Sequence, residues 1–354
     1  MMRFFSRFHR RYFRSLVYML QASEYNLHDY FAWFARVTDF RTVEKRKTVV
    51  WTAKARTLYG ALCVFSAVVS LAVIVIAWHT PATALLVALA SLVFDALIAP
   101  YALGFATLVA NALQRPLENR LIAKAKQKLA GHKGLKIAIA GSYGKTSMRE
   151  ILRTVLSEGK KVAAPPGSFN TPLGIVSFID SLEGGEDVLV FELGEYYPGD
   201  IRKLCEFVEP QWGIITGVNE AHLEKFGTLE QTAATIFELA DYIGEGVVYV
   251  NAENAAARER AAASHILFSR ERVESPEGEW RIVRPETNLR GTSFALIRGV
   301  VAIHAHSRLL GLHMVGPLAA AADIASRVGL TTQEIEDGIK KTAAFDHRLQ
   351  PIVD

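Results

Sequence analysis

The sequence contains little cysteine and no ligand spacing typical of a metal cluster. Of its 354 residues only Cys63 and Cys205 are cysteines. The first lies in a long apolar stretch and the second in a charged region, so a disulfide between them is not expected. Internal repeats and low-complexity tracts are also absent, which excludes repeat and collagen-like architectures.

Two further features are missing near the start of the chain. No short apolar region with a small-residue cleavage site follows the first arginines, so a cleaved signal peptide is not predicted. The net charge of +4 comes mainly from the first 56 residues. Because no base-reading motif accompanies that charge, acidic membrane lipid is the expected partner and nucleic acid is not.

Apolar residues are concentrated in one part of the chain. Half of the residues are hydrophobic, and the mean hydropathy of +0.17 is high for a sequence with 21% charged residues. Leu58–Trp78 carries no charge and is long enough to cross a bilayer as a helix. A second stretch, from Ala82 to about Leu113, is interrupted by Asp95 and Pro100. It predicts a kinked helix, or a span followed by an interfacial helix. Residues 57–113 are therefore predicted to hold two transmembrane segments.

Charged flanks give the orientation of these segments. Residues 1–56 hold twelve Lys and Arg against four acids, and a basic linker helix is predicted over 114–130. Both flanks are therefore expected to be cytoplasmic, in a multi-pass protein of the inner membrane. Aromatics alternate with arginines in the first segment. It is either an amphipathic helix on an anionic leaflet or a solvated basic arm that packs against the domain predicted for residues 131–346.

From Gly131 onward the pattern changes to short β-branched runs that alternate with amphipathic helices. This alternation predicts an α/β fold with a mostly parallel sheet covered on both faces, over residues 131–346. The segment Trp280–His306 alternates and is rich in turns, so it predicts a small antiparallel addition. The predicted strands are Leu135–Ala140, Val188–Leu193, Trp212–Thr216, Val247–Asn251 and Ile266–Phe268.

A phosphate-binding loop is predicted directly after the first strand. The loop residues are Gly141, Ser142, Tyr143, Gly144, Lys145, Thr146 and Ser147. Glycines let backbone N–H groups approach phosphate oxygens, a lysine neutralises the β- and γ-phosphates, and a threonine can hold Mg²⁺. The longer form of this motif requires one more glycine, at the position of Ile139, so the loop is the shorter G-x-x-G-K-T-S.

A carboxylate interrupts the apolar strand that ends near residue 193. Glu192 needs a partner at that position because an unpaired buried carboxylate costs several kcal/mol. The partner is either Mg²⁺, as expected at the carboxyl end of a parallel strand, or a lysine or arginine. Taken alone, His222 is more often structural than a ligand.

Six short motifs stand in the order found in the Mur ligases, and most closely in their MurF group. The chain resembles this family over roughly residues 131–354. The motifs are GSYGKTS, Phe169–Gly174, Phe191–Gly194, the run around His222, Asn251–Asn254 and His347–Leu349.

The resemblance implies an ATP-dependent amide ligase of cell-wall peptide synthesis, with ATP and Mg²⁺ as cofactors. Such enzymes activate a substrate carboxylate as an acyl phosphate, which an amine then attacks. The resemblance implies that Lys145 contacts the β- and γ-phosphates, that Thr146 and Glu192 bind the first Mg²⁺ and that His222 binds a second Mg²⁺. It also implies that Asn170 and Thr171 contact the acyl substrate. Asn219 and Arg348 would contact the nucleotide.

The sequence departs from the family at several points. Ile236 stands where the family usually carries a carbamylated lysine that bridges metals, and Glu238 follows two positions on. The family's H-N-x-x-N segment appears as His313–Pro317, without its asparagines. Residues 347–354 correspond to the hinge before the family's C-terminal domain, so another chain is a candidate to supply that domain. The family's UDP-binding N-terminal domain is replaced by residues 1–130.

Three functions remain open on these grounds. The first is a membrane-anchored MurF-like ligase that acts on acyl and amine small molecules and whose last domain is truncated or supplied by another chain. The second is another Mur-related ligase at the membrane, such as one that elongates poly-γ-glutamate. The third is a non-catalytic scaffold that binds ATP and has lost turnover, as Ile236 and the absent asparagines would favour.

Overall fold

The computed structural model describes residues 2–44, 48–79, 84–167, 169–220 and 226–344. The chain divides into two compact units, Met1–Asn119 and Arg120–Asp354. The division falls within one long helix. Each unit is described by itself.

The N-terminal unit is helical. By length and composition, α4 and α5 could each cross a membrane, and only 6% and 17% of their most apolar windows are buried. The low burial of these two windows distinguishes α4 and α5 from the core helix of a soluble protein, which is mostly buried. The helices are α1 (Met2–Phe5), α2 (Tyr12–Ala22), α3 (Leu27–Arg36), α4 (Ala53–His79) and α5 (Ala84–Ala130).

A proline in α5 explains how the first residues of the chain fold. Pro100 has no N–H group, so the carbonyl of Ala96 loses its helical donor. The hydroxyl of Tyr12 donates to that carbonyl at 3.1 Å. Tyr12 and Leu16 are buried beside residues of α4 and α5. Within this unit these side chains therefore contact the two long helices. The placement of the first segment on lipid, or against the domain of residues 131–346, stays a prediction.

The C-terminal unit is built on one mixed sheet of ten strands in the order β10-β9-β8-β7-β6-β5-β4-β1-β3-β2. Strands β2 to β6 pair in parallel with β1 and with one another, and β7 to β10 continue the sheet in antiparallel pairs. The strands are β1 (Leu135–Ala140), β2 (Val162–Ala163), β3 (Val188–Glu192), β4 (Trp212–Ile215), β5 (Val247–Asn251), β6 (Ile266–Phe268), β7 (Arg272–Ser275), β8 (Gly278–Asn288), β9 (Gly291–Arg298) and β10 (Val301–Ser307).

Helices cover both faces of the parallel half. Successive β1 residues enter opposite cores, with Ile137 and Ile139 on one face and Ala138 and Ala140 on the other, as the period of a strand requires. One face packs on α6, α11 and α12, and the other on α7, α8 and α9. The helices are α6 (Lys145–Leu156), α7 (Pro172–Asp180), α8 (Asp200–Val208), α9 (Leu229–Ile243), α10 (Ala255–Glu259), α11 (Val315–Arg327) and α12 (Thr332–Lys341).

The antiparallel half has one covered face. Trp280, Phe294 and Ile303 are buried against the core that contains α11, whereas alternate residues of β10 are exposed. The five predicted parallel strands are confirmed with ends that differ by one residue at most. The antiparallel addition predicted over Trp280–His306 is confirmed in β8, β9 and β10, and it continues the same sheet, since β6 pairs directly with β7. Strands β2 and β7 were not predicted.

A buried pair fixes the amino ends of β1 and β3. The Nε2 of His132 lies 2.8 Å from Oε2 of Glu186. Backbone N–H groups of Glu183 and Gly184 donate to the other carboxylate oxygen, at 3.0 and 3.2 Å. The N–H of Gly134 donates to Nδ1 of His132 at 3.0 Å, so the ring carries its proton on Nε2.

Candidate active site

The predicted loop joins β1 to α6, and two of its glycines have a positive φ angle. Gly141 has φ +145° and Gly144 has φ +79°. A side chain at Gly141 would collide with Thr216, which follows β4. The Thr216 hydroxyl donates to the carbonyls of Ala140, at 3.3 Å, and Tyr143. The end of β4 therefore holds the loop in shape.

The first turn of α6 faces the loop without a side-chain cap. Gly144 is the N-cap, and no side chain of the described residues makes the capping hydrogen bond there. The N–H groups of a first helical turn have no partners within the helix, and they carry the positive end of its dipole. This arrangement suits a phosphate group.

Lys145 is already engaged by protein groups. Its Nζ donates to Oε2 of Glu195 at 2.8 Å and to the carbonyl of Gly141. Both side chains are largely buried, at 12% exposed for the lysine and 3% for the glutamate. Sequence reasoning missed Glu195. The available signal was a second acid three residues after Glu192, past the end of a buried strand.

Glu192 faces the loop, as predicted. The hydroxyl of Thr146 lies 3.3 and 3.2 Å from its two carboxylate oxygens. Arg149 also donates to Glu192, from Nη1 to Oε2 at 3.1 Å, and both of these side chains are buried. Of the two partners expected for Glu192, the structure shows the basic residue, Arg149. A role of Glu192 in binding Mg²⁺ stays a prediction.

Asparagines after β5 support the loop from the side. Asn251 donates to the carbonyl of Thr216 at 2.8 Å. Asn254 donates to the carbonyl of Val218 at 2.8 Å and to the hydroxyl of Tyr143 at 3.2 Å. The N–H of Asn219 donates to the Ser142 hydroxyl at 3.2 Å. The motif Asn251–Asn254 therefore helps to hold the loop in its conformation.

The predicted substrate residues lie beside the end of β3. The N–H of Gly194 donates to the carbonyl of Asn170 at 2.9 Å. Thr171 is exposed, and it caps α7 by accepting from the N–H of Gly174 at 3.4 Å. These contacts bring both residues to the edge that carries Glu192. Their role in binding a substrate stays a prediction.

A cavity of about 960 Å³ opens next to the loop. Tyr143, Gly144 and Ser147 contribute polar groups on one side. His313 and Met314, from the segment that departs from the family pattern, line it together with apolar side chains. The cavity lies within the size range of small-molecule and cofactor sites.

Other predicted site residues fall in different places. His222 and Arg348 lie outside the described residues. Ile236 is fully buried in the core between α9 and the sheet. Glu238 accepts from the N–H groups of Gly199 and Arg202, at 2.9 and 2.8 Å, so both of its oxygens support the start of α8. Within the described ranges no group of three His, Cys, Asp or Glu could hold a metal.

Comparison with known proteins identifies the family of this domain. The model of the Mur ligase middle domain matches residues 139–325, which include the loop, Glu192 and all of the cavity lining except Ala344. The chain belongs to the Mur ligase family. The resemblance seen in its motifs is thereby confirmed.

Several of the relatives it matches carry the MurF name or the name of a D-alanyl-D-alanine ligase. The UDP-N-acetylmuramoyl-tripeptide–D-alanyl-D-alanine ligase of Mycobacterium bovis is 30% identical over 245 residues, which cover 64% of this chain and 45% of that protein. A crystal structure of MurF from Acinetobacter baumannii has a TM-score of 0.58 and 25% identity, over 68% of this chain and 52% of that one. MurF of Thermotoga maritima in complex with ADP has the same fold, with a TM-score of 0.52 and 24% identity, over 62% of this chain and 52% of that one. The chain spans about half the length of the curated relatives it matches.

Proposed function

We propose that this chain supplies the ATP-binding centre of an ATP-dependent amide ligase of cell-wall peptide synthesis, of the MurF type. The observation that carries the proposal is the meeting of Lys145, Thr146 and Glu192 at one edge of the parallel sheet, around a loop with an uncapped helix start. The names of the relatives supply the class of substrates: a UDP-muramoyl tripeptide and D-alanyl-D-alanine.

The nucleotide phosphates would lie against the loop N–H groups and the start of α6. Lys145 would leave Glu195 and the Gly141 carbonyl to contact the β- and γ-phosphates. Thr146 and Glu192 fit Mg²⁺, because a hydroxyl and a carboxylate 3.2 Å apart are hard oxygen donors. When bound, Mg²⁺ neutralises charge on the transferred phosphoryl group.

The proposed reaction transfers the γ-phosphoryl group to the carboxylate of the acyl substrate. ADP leaves, and the acyl phosphate is attacked by the amine, which forms the amide and releases phosphate. Asn170 and Thr171, at the end of β3, are placed to orient the acyl substrate. Positioning is the main contribution of the protein to such chemistry.

The cavity beside the loop is proposed to hold the nucleoside. Phe268, Met314 and Pro317 offer apolar surface to a flat base, and Asn251 and His313 offer polar groups. Because the family's two asparagines are absent from the His313–Pro317 segment, base contacts are expected to rely more on packing than on amide hydrogen bonds.

We also propose that α4 and α5 form a membrane hairpin with both flanks in the cytoplasm. Support comes from their length and hydropathy, and from the twelve Lys and Arg of residues 1–56. Anionic lipid is then a partner of the exposed basic side chains. Residence in the membrane fraction after carbonate washing would support the anchor, and release into the soluble fraction would contradict it.

One observation favours a second candidate, a scaffold that binds ATP without turnover. Ile236 is buried in the core, so nothing at that position can provide the family's carbamylated lysine. This leaves the first Mg²⁺ site intact and removes one ligand of the second.

The experiment separates these candidates. The protein is incubated with Mg²⁺, ATP, UDP-N-acetylmuramoyl tripeptide and D-alanyl-D-alanine, with Lys145→Ala as the control, and phosphate release and amide product are measured. A ligase releases phosphate only when both substrates are present. Nucleotide binding without substrate-dependent release fits either the scaffold or a ligase whose last domain is supplied by another chain. Replacement of the dipeptide by glutamate tests the polyglutamate alternative.

A further inference from the structure

Arg149 is a buried arginine that touches three parts of the site at once. It lies on α6 three residues after Thr146, on the same face of the helix, and it is 2% exposed. We infer that Arg149 is a positioning residue that fixes the Glu192 carboxylate for Mg²⁺ and ties it to the segment leading to the acyl substrate. The inference rests on the proposed nucleotide and substrate roles of the site.

The first contact orients the carboxylate. Arg149 donates from Nη1 to Oε2 of Glu192 at 3.1 Å, while the Thr146 hydroxyl reaches both carboxylate oxygens. The guanidinium thus places a fixed positive group beside a carboxylate that is only 2% exposed. The guanidinium therefore fixes the position of Oε2, and the Thr146 hydroxyl lies beside both oxygens.

The second contact reaches the chain just before Asn170 and Thr171, the residues proposed to contact the acyl substrate. The same Nη1 donates to the carbonyl of Gly167. Three residues later, the carbonyl of Asn170 accepts from the N–H of Gly194, just past the end of β3. The chain between β2 and α7 is therefore attached to the site at two points, one through Arg149 and one through the backbone. A displacement of the guanidinium would move Gly167 relative to Glu192.

The third contact explains why an arginine is required. Nε and Nη2 of Arg149 both donate to Oε1 of Glu150, at 3.2 and 2.8 Å. The planar guanidinium thus serves two carboxylates and one carbonyl in fixed directions. A lysine ammonium carries the same charge but cannot reproduce this fork.

Arg153 offers a matched control. It lies one turn further along α6 and also donates to Glu150, from Nε to Oε2 at 3.0 Å. Its side chain is half exposed, and the bonds to Glu192 and Gly167 are made by Arg149. Arg153→Met therefore removes a Glu150 partner and leaves the proposed positioning intact.

The test compares Arg149→Met, Arg149→Lys and Arg153→Met in the whole protein. ADP affinity is measured without metal and over a Mg²⁺ titration, and hydrogen exchange is followed in peptides covering residues 164–171. For Arg149→Met we expect metal-free ADP affinity within about threefold of the parent, and a half-saturating Mg²⁺ concentration raised by about 10- to 100-fold, as when the partner of a metal ligand is lost. Exchange in the 164–171 peptides should accelerate about tenfold or more.

Arg149→Lys keeps the charge, so it carries the test if the methionine variant does not fold. It should raise the half-saturating Mg²⁺ concentration by about tenfold and accelerate exchange in the same peptides. Arg153→Met should match the parent in both readouts. An unchanged Mg²⁺ dependence in the folded Arg149 variants, with only a lower melting temperature, would show a merely structural arginine and overturn the inference.

Failure of the proposed function gives a different result. If the parent protein binds no ADP with or without Mg²⁺, the nucleotide site is wrong, and the inference falls with it. If the parent binds ADP and responds to Mg²⁺ while the Arg149 variants respond equally, only the role of Arg149 is wrong.

Discussion

Buried carboxylates are held by basic side chains at both ends of the parallel strands, but the partners at the two ends differ in kind. At the amino ends of β1 and β3, Glu186 is held by His132 and by two backbone N–H groups. At the carboxyl ends, Glu192 and Glu195 are held by Arg149, Thr146 and Lys145. The partners at the amino end are fixed by the fold. Those at the carboxyl end include the groups that phosphate and Mg²⁺ would engage.

This difference shows why burial of a carboxylate does not by itself mark a site. Burial would raise the pKa of Glu186, but the hydrogen bonds from His132, Glu183 and Gly184 outweigh it and lower that pKa to about 2. The pair is thus closed and structural. At the carboxyl end Lys145 belongs to the proposed phosphate-binding loop, so its bond to Glu195 can be exchanged for bonds to a ligand, whereas Arg149 is inferred to keep its bond to Glu192.

The largest effect is expected from Lys145→Ala at the carboxyl end. Loss of a charge-assisted contact of roughly 2–3 kcal/mol should weaken ATP binding about 100-fold. The rise in melting temperature that saturating ATP gives the parent should disappear. Thermal unfolding with and without ATP measures this. A variant that is stabilised by ATP as strongly as the parent would contradict the role of Lys145.

At the amino end, Glu186→Gln should affect stability and leave the nucleotide site unchanged. Because the folded pKa of Glu186 is lowered from 4.5 to about 2, its contribution to stability is present above pH 4.5 and is lost as the pH falls toward 2. Between pH 4.5 and 2 the free energy of unfolding of the parent should fall by roughly 3 kcal/mol through this group, and that of the variant should not. Urea unfolding at several pH values measures the difference. An acid dependence identical to that of the parent would show that Glu186 is not the responsible group.

A smaller effect is expected from Glu195→Gln. The substitution removes the negative charge that holds Lys145 at 2.8 Å, so the lysine becomes easier to transfer to phosphate. ATP affinity should rise by up to about tenfold, or roughly 1.4 kcal/mol. Calorimetric titration with ATP and Mg²⁺ measures it. Weaker binding would mean that Glu195 helps to hold the nucleotide complex rather than competing with it.

The smallest effect is expected at the exposed rim of the amino end. Lys161 pairs with Glu183 at 3.3 Å, with side chains 50% and 82% exposed. Lys161→Ala should change the free energy of unfolding by at most about 0.5 kcal/mol and leave ATP binding unaltered. Urea unfolding at low and high salt checks the first point. A larger loss in the free energy of unfolding, or a change in ATP affinity, would contradict the purely structural role assigned to the amino end.

Local patterns were enough to predict the glycine-containing loop between β1 and α6 and the strands around it. Glycines at 141 and 144, the lysine and threonine after them, and the apolar strand before them depend on neighbouring residues only. The facing of Glu192 toward Thr146 followed from the rule that parallel strands place ligands at their carboxyl ends.

Contacts between distant residues were harder to predict. Arg149 is charged, so an exposed position on α6 was the natural expectation, and its burial depends on Glu150, Glu192 and Gly167 meeting in space. The place of Tyr12 depends on a carbonyl freed by Pro100, 88 positions later. Sequence periodicity does not report such pairings.

The most direct measurement is a crystal structure of the protein with Mg²⁺ and a non-hydrolysable ATP analogue. The account predicts phosphate oxygens within hydrogen-bond distance of the Gly141–Ser147 N–H groups, Lys145 Nζ moved from Glu195 to the β/γ-phosphates, and Mg²⁺ about 2.1 Å from Thr146 Oγ1 and from a Glu192 oxygen. A triphosphate bound elsewhere, with Lys145 still paired to Glu195, would contradict it.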